Sequence, residues 1–139
     1  MLTTLRIKNY ALLRDIEIYF TPGLNILTGE TGAGKSIIIG ALNIAVGERW
    51  YTENIRTGEE KAVVEAVFDL KNNRQLKQLI NNELQEAGIE QCADELIIKR
   101  EINSASKGRI FINNSAAALN FMEKIGKNLI DIHGQHEHQ

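Results

Sequence analysis

The chain has 139 residues with a formal net charge of −2, and 43% of them are hydrophobic and 24% charged. That is enough for one domain with a sizeable core and too balanced for a general electrostatic pull toward nucleic acid. Its one cysteine, Cys92, cannot close an internal disulfide, and no apolar run reaches the length of a membrane span. The opening residues, MLTTLRIKNY, alternate like a strand and lack a signal-peptide core, so the expected compartment is the cytoplasm.

In chain order, Leu2, Leu5 and Ile7 alternate with polar residues and predict a first strand. Ile16, Ile18 and Phe20 do the same over 15–20 and predict a second, paired antiparallel through the short connection 9–13. Pro22-Gly23 leads into an expected strand, Leu24–Thr28. Gly29–Ser36 follows, then an apolar helix expected to reach Val46 and stop at Gly47. The polar stretch 48–58 reads as a loop, and Lys61–Leu70 as a strand with Val64, Ala66, Phe68 and Leu70 on one face.

Asn72 or Asn73 is expected to cap a helix that ends at Ala87 before Gly88, with Leu76, Leu79, Ile80 and Leu84 as its apolar stripe. Leu96–Ile102 and Arg109–Asn113 predict a hairpin, and Ala117–Lys124 a short helix ended by Gly126. Asn128–His133 reads as a final strand leading into Gly134–Gln139. The tally is about seven strands and three helices, an α/β fold without simple strand–helix alternation.

The chemistry concentrates in Gly29, Glu30, Thr31, Gly32, Ala33, Gly34, Lys35 and Ser36. This run fits G-x-x-x-x-G-K-[ST], the phosphate-binding P-loop (Walker A), in its required strand–loop–helix setting. Gly32 and Gly34 let the backbone approach phosphate oxygens, and successive amides form an anion nest. The following helix adds the positive end of its dipole. Lys35 is the residue type that reaches the β- and γ-phosphates, and the Ser36 hydroxyl the one that ligates Mg²⁺. ATP and Mg²⁺ are therefore the expected cofactors; the bland alternative is a glycine-rich turn that binds nothing.

Hydrolysis at such a site also needs an acidic residue at the end of an apolar strand, holding Mg²⁺ and positioning water. Asp131, after Leu129-Ile130, is the nearest candidate, with Asp69 behind it, and either is equally readable as a structural or exposed acid. The nucleotide site reads as half built.

LRIKNYALLRDIEIYFTPGLNILTGETGAGKSIIIGALNIAVGER, IRTGEEKAVVEAVFDL and DIHGQHEHQ together resemble the RecN family of bacterial DNA repair and recombination proteins. That family is similar to the structural-maintenance-of-chromosomes (SMC) ATPases. The resemblance implies an ABC/SMC-like ATPase head with a mixed sheet and antiparallel strands, split by a long antiparallel coiled coil. The P-loop and a Q-loop glutamine belong to its N-terminal lobe; the signature motif and the catalytic carboxylates belong to its C-terminal lobe. Residues 1–139 are then a single N-terminal lobe, and whether this chain is an enzyme by itself stays open. The implied partners are that C-terminal lobe, a second head in an ATP-sandwiched dimer, and DNA through the full-length protein. The implied setting is double-strand-break repair at the bacterial nucleoid.

Carried over by position, Gly29 to Ser36 match the ATP-binding residues, with Lys35 in a catalytic role. Gln135 matches the Q-loop glutamine, which would ligate Mg²⁺ together with Ser36 and position water; Gln139 is the alternative register. Arg56 resembles an arginine that lies near nucleotide or DNA in related heads, or is an ordinary loop arginine. Trp50-Tyr51 stand where the family has small residues, which leaves that loop's conformation open.

Two rival readings remain. One is a self-contained P-loop kinase or NTPase using Asp131, and the other a non-catalytic module in which ATP gates association with a partner. His133, His136 and His138 read as a zinc site or as polar loop or interface histidines. Lys99, Arg100, Lys107 and Arg109 make the hairpin basic, either as a solvated face or as a contact for DNA phosphates. Cys92, among Glu90, Gln91 and Asp94, has no setting for a reactive thiolate. A lone lobe is expected to expose apolar surface that its other lobe would cover.

Overall fold

The computed structural model describes residues 2–20 and 32–137, with side chains at 2–20 and 37–129. The expected strand Leu24–Thr28 lies outside the described residues. The elements are β1 (Leu2–Tyr10), β2 (Leu13–Tyr19), α1 (Gly32–Ala45), β3 (Lys61–Asp69), α2 (Arg74–Glu86), β4 (Glu95–Asn103), β5 (Gly108–Ile112), β6 (Ser115–Ala116) and α3 (Leu119–Glu137). The described strands form one sheet in the order β2-β1-β3-β4-β5-β6, with every neighbour antiparallel.

Period-two alternation gives this sheet two unlike faces. Leu5, Ile7, Ala62, Val64, Ala66, Phe68, Leu96, Ile98 and Ile112 are buried on the inner face. There α1 lies over β1, β3 and β4, while α3 lies over β5 and beside α2. The outer face is charged, and its charges pair across strands. Arg6 forks between Glu17 on β2 and Glu65 on β3, and Lys61 and Lys99 both reach Glu101. Opposite-sign neighbours across a ladder attract, and the register sets Arg6 against Glu17 and Glu65, and Glu65 against Lys99.

Two helices end as the sequence predicts. After α1, Gly47 takes φ 126, its amide donates to the Ile44 carbonyl at 3.2 Å, and the Glu48 amide donates to the Asn43 carbonyl at 3.0 Å. After α2, the Gly88 and Ile89 amides reach the Gln85 and Leu84 carbonyls at 3.1 and 2.8 Å, so both ends are Schellman closures. Asn73 caps α2 through its side chain, which accepts from the Leu76 amide at 3.1 Å. Leu79, expected in the apolar stripe of α2, is instead exposed; Leu76, Ile80 and Leu84 are buried.

The loop after α1 is more anchored than its polar composition predicts. Trp50 is buried against the Tyr10 ring, Thr52–Asn54 forms a 3-10 turn, and Ile55 bridges Tyr10. Beyond β5, Asn113 and Asn114 both adopt positive φ, the requirement of a type I′ turn, and this adds the two-residue strand β6.

The C-terminal region departs from expectation. In place of a short helix, a stop at Gly126 and a final strand over 128–133, α3 runs unbroken from Leu119 to Glu137. Buried Met122, Ile125 and Leu129 keep helical spacing straight through the glycine. Gly126 is not a terminator but a point of close approach. A β-carbon there would overlap the Val46 carbonyl and lie 3.1 Å from the Val46 α-carbon. The run Leu129-Ile130-Asp131-Ile132 reads as a strand only because a short apolar segment has no decisive period.

Gly126→Ala is therefore expected to destabilise the fold by about 1–3 kcal/mol, despite alanine's better helix propensity, because α3 must back away from α1. Urea denaturation checks this. An unchanged midpoint would show that the two backbones are not held in contact.

Candidate functional site

The P-loop-like run enters the described residues at Gly32. From Gly32 to Ser36 the backbone forms the opening of α1, and no acidic residue sits in that first turn. The first amides of a helix have no intrahelical acceptor, and the residues of this first turn include no carboxylate to offset the positive end of the dipole. The first turn of α1 therefore presents donors suited to an anion. Gly29, Glu30 and Thr31 lie outside the described residues. Helix formation begins earlier than the Ser36 start expected from sequence.

Arg56 is half-buried and serves the loop. Its guanidinium donates to the Leu12 carbonyl at 2.9 Å and its amide to the Asn9 carbonyl at 2.8 Å. The Ala11 amide donates in turn to the Asn54 carbonyl at 2.6 Å. Arg56 thus ties the 50–58 loop to the β1–β2 turn, where Asn9 and Ala11 hold positive φ and Leu12 is 78% exposed.

Gln135 lies in the last turns of α3, where a loop was expected, and Asp131 lies in the same helix instead of on a strand. The strand context that made Asp131 a candidate carboxylate is absent. His133 and His136 also fall in α3; His138 and Gln139 lie outside the described residues. Asp69 ends β3 and accepts from the Lys71 amide at 2.8 Å, a turn-capping role.

The basic hairpin divides. Lys99 faces outward with Glu101 and stands over the Phe111 ring, whereas Arg100 points inward and is only 8% exposed. Its Nη1 donates to the Ile44 carbonyl at 2.7 Å and to the Glu48 carbonyl, both at the end of α1. Burial pushes the Arg100 guanidinium below its usual pKa, and Glu123 opposes that shift. The sequence does contain the signal, since Arg100 falls in step with Leu96, Ile98 and Ile102, but a cation in an apolar register reads as an exception until the carbonyls are seen. Burial likewise raises the Cys92 thiol, whose sulfur donates to the Asn81 side-chain oxygen at 3.3 Å.

Among the described residues, no helix is long and apolar enough to cross a membrane. Residues 4–137 match the family described as AAA domain. The chain is 38% identical over its whole length to the DNA repair protein RecN of Bacillus subtilis and covers 23% of it. It is 39% identical to the DNA repair protein RecN of Vibrio cholerae, again over its whole length and 24% of that protein. The chain thus spans about a quarter of the length of these relatives, and the RecN resemblance read from the sequence is borne out. Among solved structures, one from work on ATP-driven dimerization and DNA-stimulated activation of SMC ATPases superposes with a TM-score of 0.68. The identity is 18%, with 93% of this chain and 79% of that one covered, which establishes an SMC-type head fold.

Arg56→Ala should lower stability by about 1 kcal/mol through loss of the bond to the Leu12 carbonyl, measured by thermal melting. If that brace is its whole role, anion affinity at the start of α1 will not change. Because the folded Cys92 thiol titrates above its unfolded value, its contribution to stability is complete below the unfolded pKa and declines as pH rises through that value toward the folded one. Melting curves in the alkaline range should show this decline, and Cys92→Ala should flatten it.

Proposed function

The chain belongs to the AAA domain family, and from that premise we propose that it is the ATP-binding lobe of an SMC-like ATPase acting in DNA double-strand-break repair and recombination. The observation that carries the reading is the opening turn of α1. Gly32–Ser36, the second half of a G-x-x-x-x-G-K-[ST] run, begins a helix whose first turn carries no acid. That donor set fits a nucleotide phosphate chain.

In this reading the backbone amides of Gly32–Lys35 cradle phosphate, and the Lys35 ammonium offsets the phosphate charge. The Ser36 hydroxyl and the Gln135 amide oxygen are the Mg²⁺ ligands, the metal supplying further charge neutralisation when bound. Gly29, Glu30 and Thr31 complete the loop. Arg56, which ties the 50–58 loop to the β1–β2 turn, is assigned no direct phosphate contact. Residues 1–139 then act as one lobe of a split head, and hydrolysis requires the second lobe and a second head. The setting proposed for the parent protein is bacterial DNA repair in the cytoplasm at the nucleoid, and the relatives' name, DNA repair protein RecN, supports the repair part of that reading.

Two features support an incomplete head. Helix α1 is apolar nearly all round, yet Ile39 is 40% exposed and Ile38 and Leu42 are half-buried. A helix of that composition is ordinarily covered on both sides. Of the two acids considered for hydrolysis, Asp131 lies on α3 instead of at a strand end, and Asp69, which ends β3, accepts from the Lys71 amide in a turn.

Steady-state ATP hydrolysis by this chain, beside Lys35→Ala, tests the proposal. The expected result is no turnover, with Mg-ATP binding that weakens by about tenfold or more in the variant. Robust turnover abolished in Lys35→Ala would mean a complete site and would overturn the half-head reading. Absence of any Mg-ATP binding would overturn the assignment of this lobe as nucleotide-binding by itself.

A further inference from the structure

Arg100 occupies a position that its strand assigns to the core. Ile98 and Ile102, two residues to either side, are buried, and an apolar side chain of similar volume would fill the same space without the desolvation penalty of a guanidinium. What the cation gains lies at the end of α1. It donates to the carbonyls of Ile44 and Glu48, and its central carbon stands 5.8 Å from the Trp50 ring. The Ile44 carbonyl belongs to the last turn of α1 and the Glu48 carbonyl to the closure just beyond it, so the negative end of the dipole faces the charge.

The contact joins β4, inside the sheet, to the far end of the helix that opens with Gly32–Ser36. A helix of 14 residues is a rod of about 20 Å, so holding one end sets the axial position and tilt of the other. Two further contacts act along the same rod. The Tyr10 hydroxyl approaches Gly40, where a β-carbon would lie only 3.1 Å away, and Gly126 of α3 abuts the Val46 carbonyl. The rod is thereby held at its middle and at its C-terminal end, while its first turn remains the end that meets ligand.

We propose that Arg100 is a positioning residue for the phosphate-binding turn: by gripping the Ile44 carbonyl in the last turn of α1 and the Glu48 carbonyl just beyond it, it sets where the amides of Gly32–Ser36 stand. This rests on the nucleotide reading above. Arg100 touches no phosphate and acts only through the helix. The cation is retained because an apolar substitute would pack as well but would leave the axial position of α1 unspecified.

The test compares the chain with Arg100→Met, Arg100→Lys and Lys35→Ala. Three quantities are read: melting temperature, Mg-ATP affinity by calorimetry, and amide hydrogen exchange along α1 relative to β3. Arg100→Met is expected to melt near the parent yet bind Mg-ATP about tenfold or more weakly, since small misplacements of binding groups are costly. Its α1 amides should exchange faster while those of β3 do not, and Arg100→Lys should recover part of both effects.

Parent affinity in a folded Arg100→Met overturns the proposal. If Arg100→Met does not fold, Arg100→Lys decides by the same readouts, and failure of both to fold overturns it in favour of a purely structural cation. If the parent chain binds no Mg-ATP, the nucleotide reading falls separately. Exchange then decides the grip on α1 alone: faster exchange confined to α1 upholds it, and unchanged exchange overturns it.

Discussion

A cation buried between the sheet and the end of a helix is the constraint on which the arrangement of α1 depends. Apolar packing specifies that α1 lies on the inner face of β1, β3 and β4, but apolar contact is non-directional and tolerates sliding. The hydrogen bonds from Arg100 to Ile44 and Glu48 are directional, and burial makes any unmade donor costly. Together with the backbone contact between Gly126 and Val46, they convert a helix that merely rests on a sheet into one with a defined axial position. The turn that opens at Gly32 inherits that position.

The same site joins α1 to α3. Glu123, the charge that partly offsets burial at Arg100, and Gly126, which meets Val46, lie one turn apart on α3. The Gly47 closure of α1 packs against Glu123 as well. The C-terminal end of the helix that begins with the P-loop-like run is thus the seat of the helix that carries Gln135. Two of the three stretches that make the chain resemble RecN, far apart in sequence, reach into helices whose ends share one backbone contact.

The outer face of the sheet follows a different logic. Arg6, Glu17, Glu65, Lys61, Lys99 and Glu101 neutralise one another across strands, so the face is charged without being strongly of one sign. These pairs are exposed enough that each contributes little to stability, and their effect is on register, since a one-residue slip would set these charges against apolar residues and turn the apolar face outward. A face of this kind has no general attraction for nucleic acid, in keeping with the net charge of −2.

Much of this was legible in the residues. Period-two runs at Leu5–Ile7, Val64–Phe68 and Leu96–Ile102 marked strands, Asn73 and Gly88 bounded α2, and Gly47 closed α1, because alternation, caps and left-handed glycines are local properties. The P-loop-like run and its family resemblance were legible for the same reason. What lay beyond the sequence depended on partners distant along the chain. Gly126 reads as a helix stop unless Val46 is known to lie against it; Leu129–Ile132 reads as a strand unless Met122 and Ile125 extend their helical stripe beneath it. Arg100 reads as a surface cation until the carbonyls at the end of α1 are placed beside it. Local chemistry determined most of the elements and where in the chain the P-loop-like run falls. Only the tertiary structure decided whether a glycine ends a helix or admits a neighbour, and whether a charge faces water or a helix end, because those choices are set by the atoms that arrive from elsewhere.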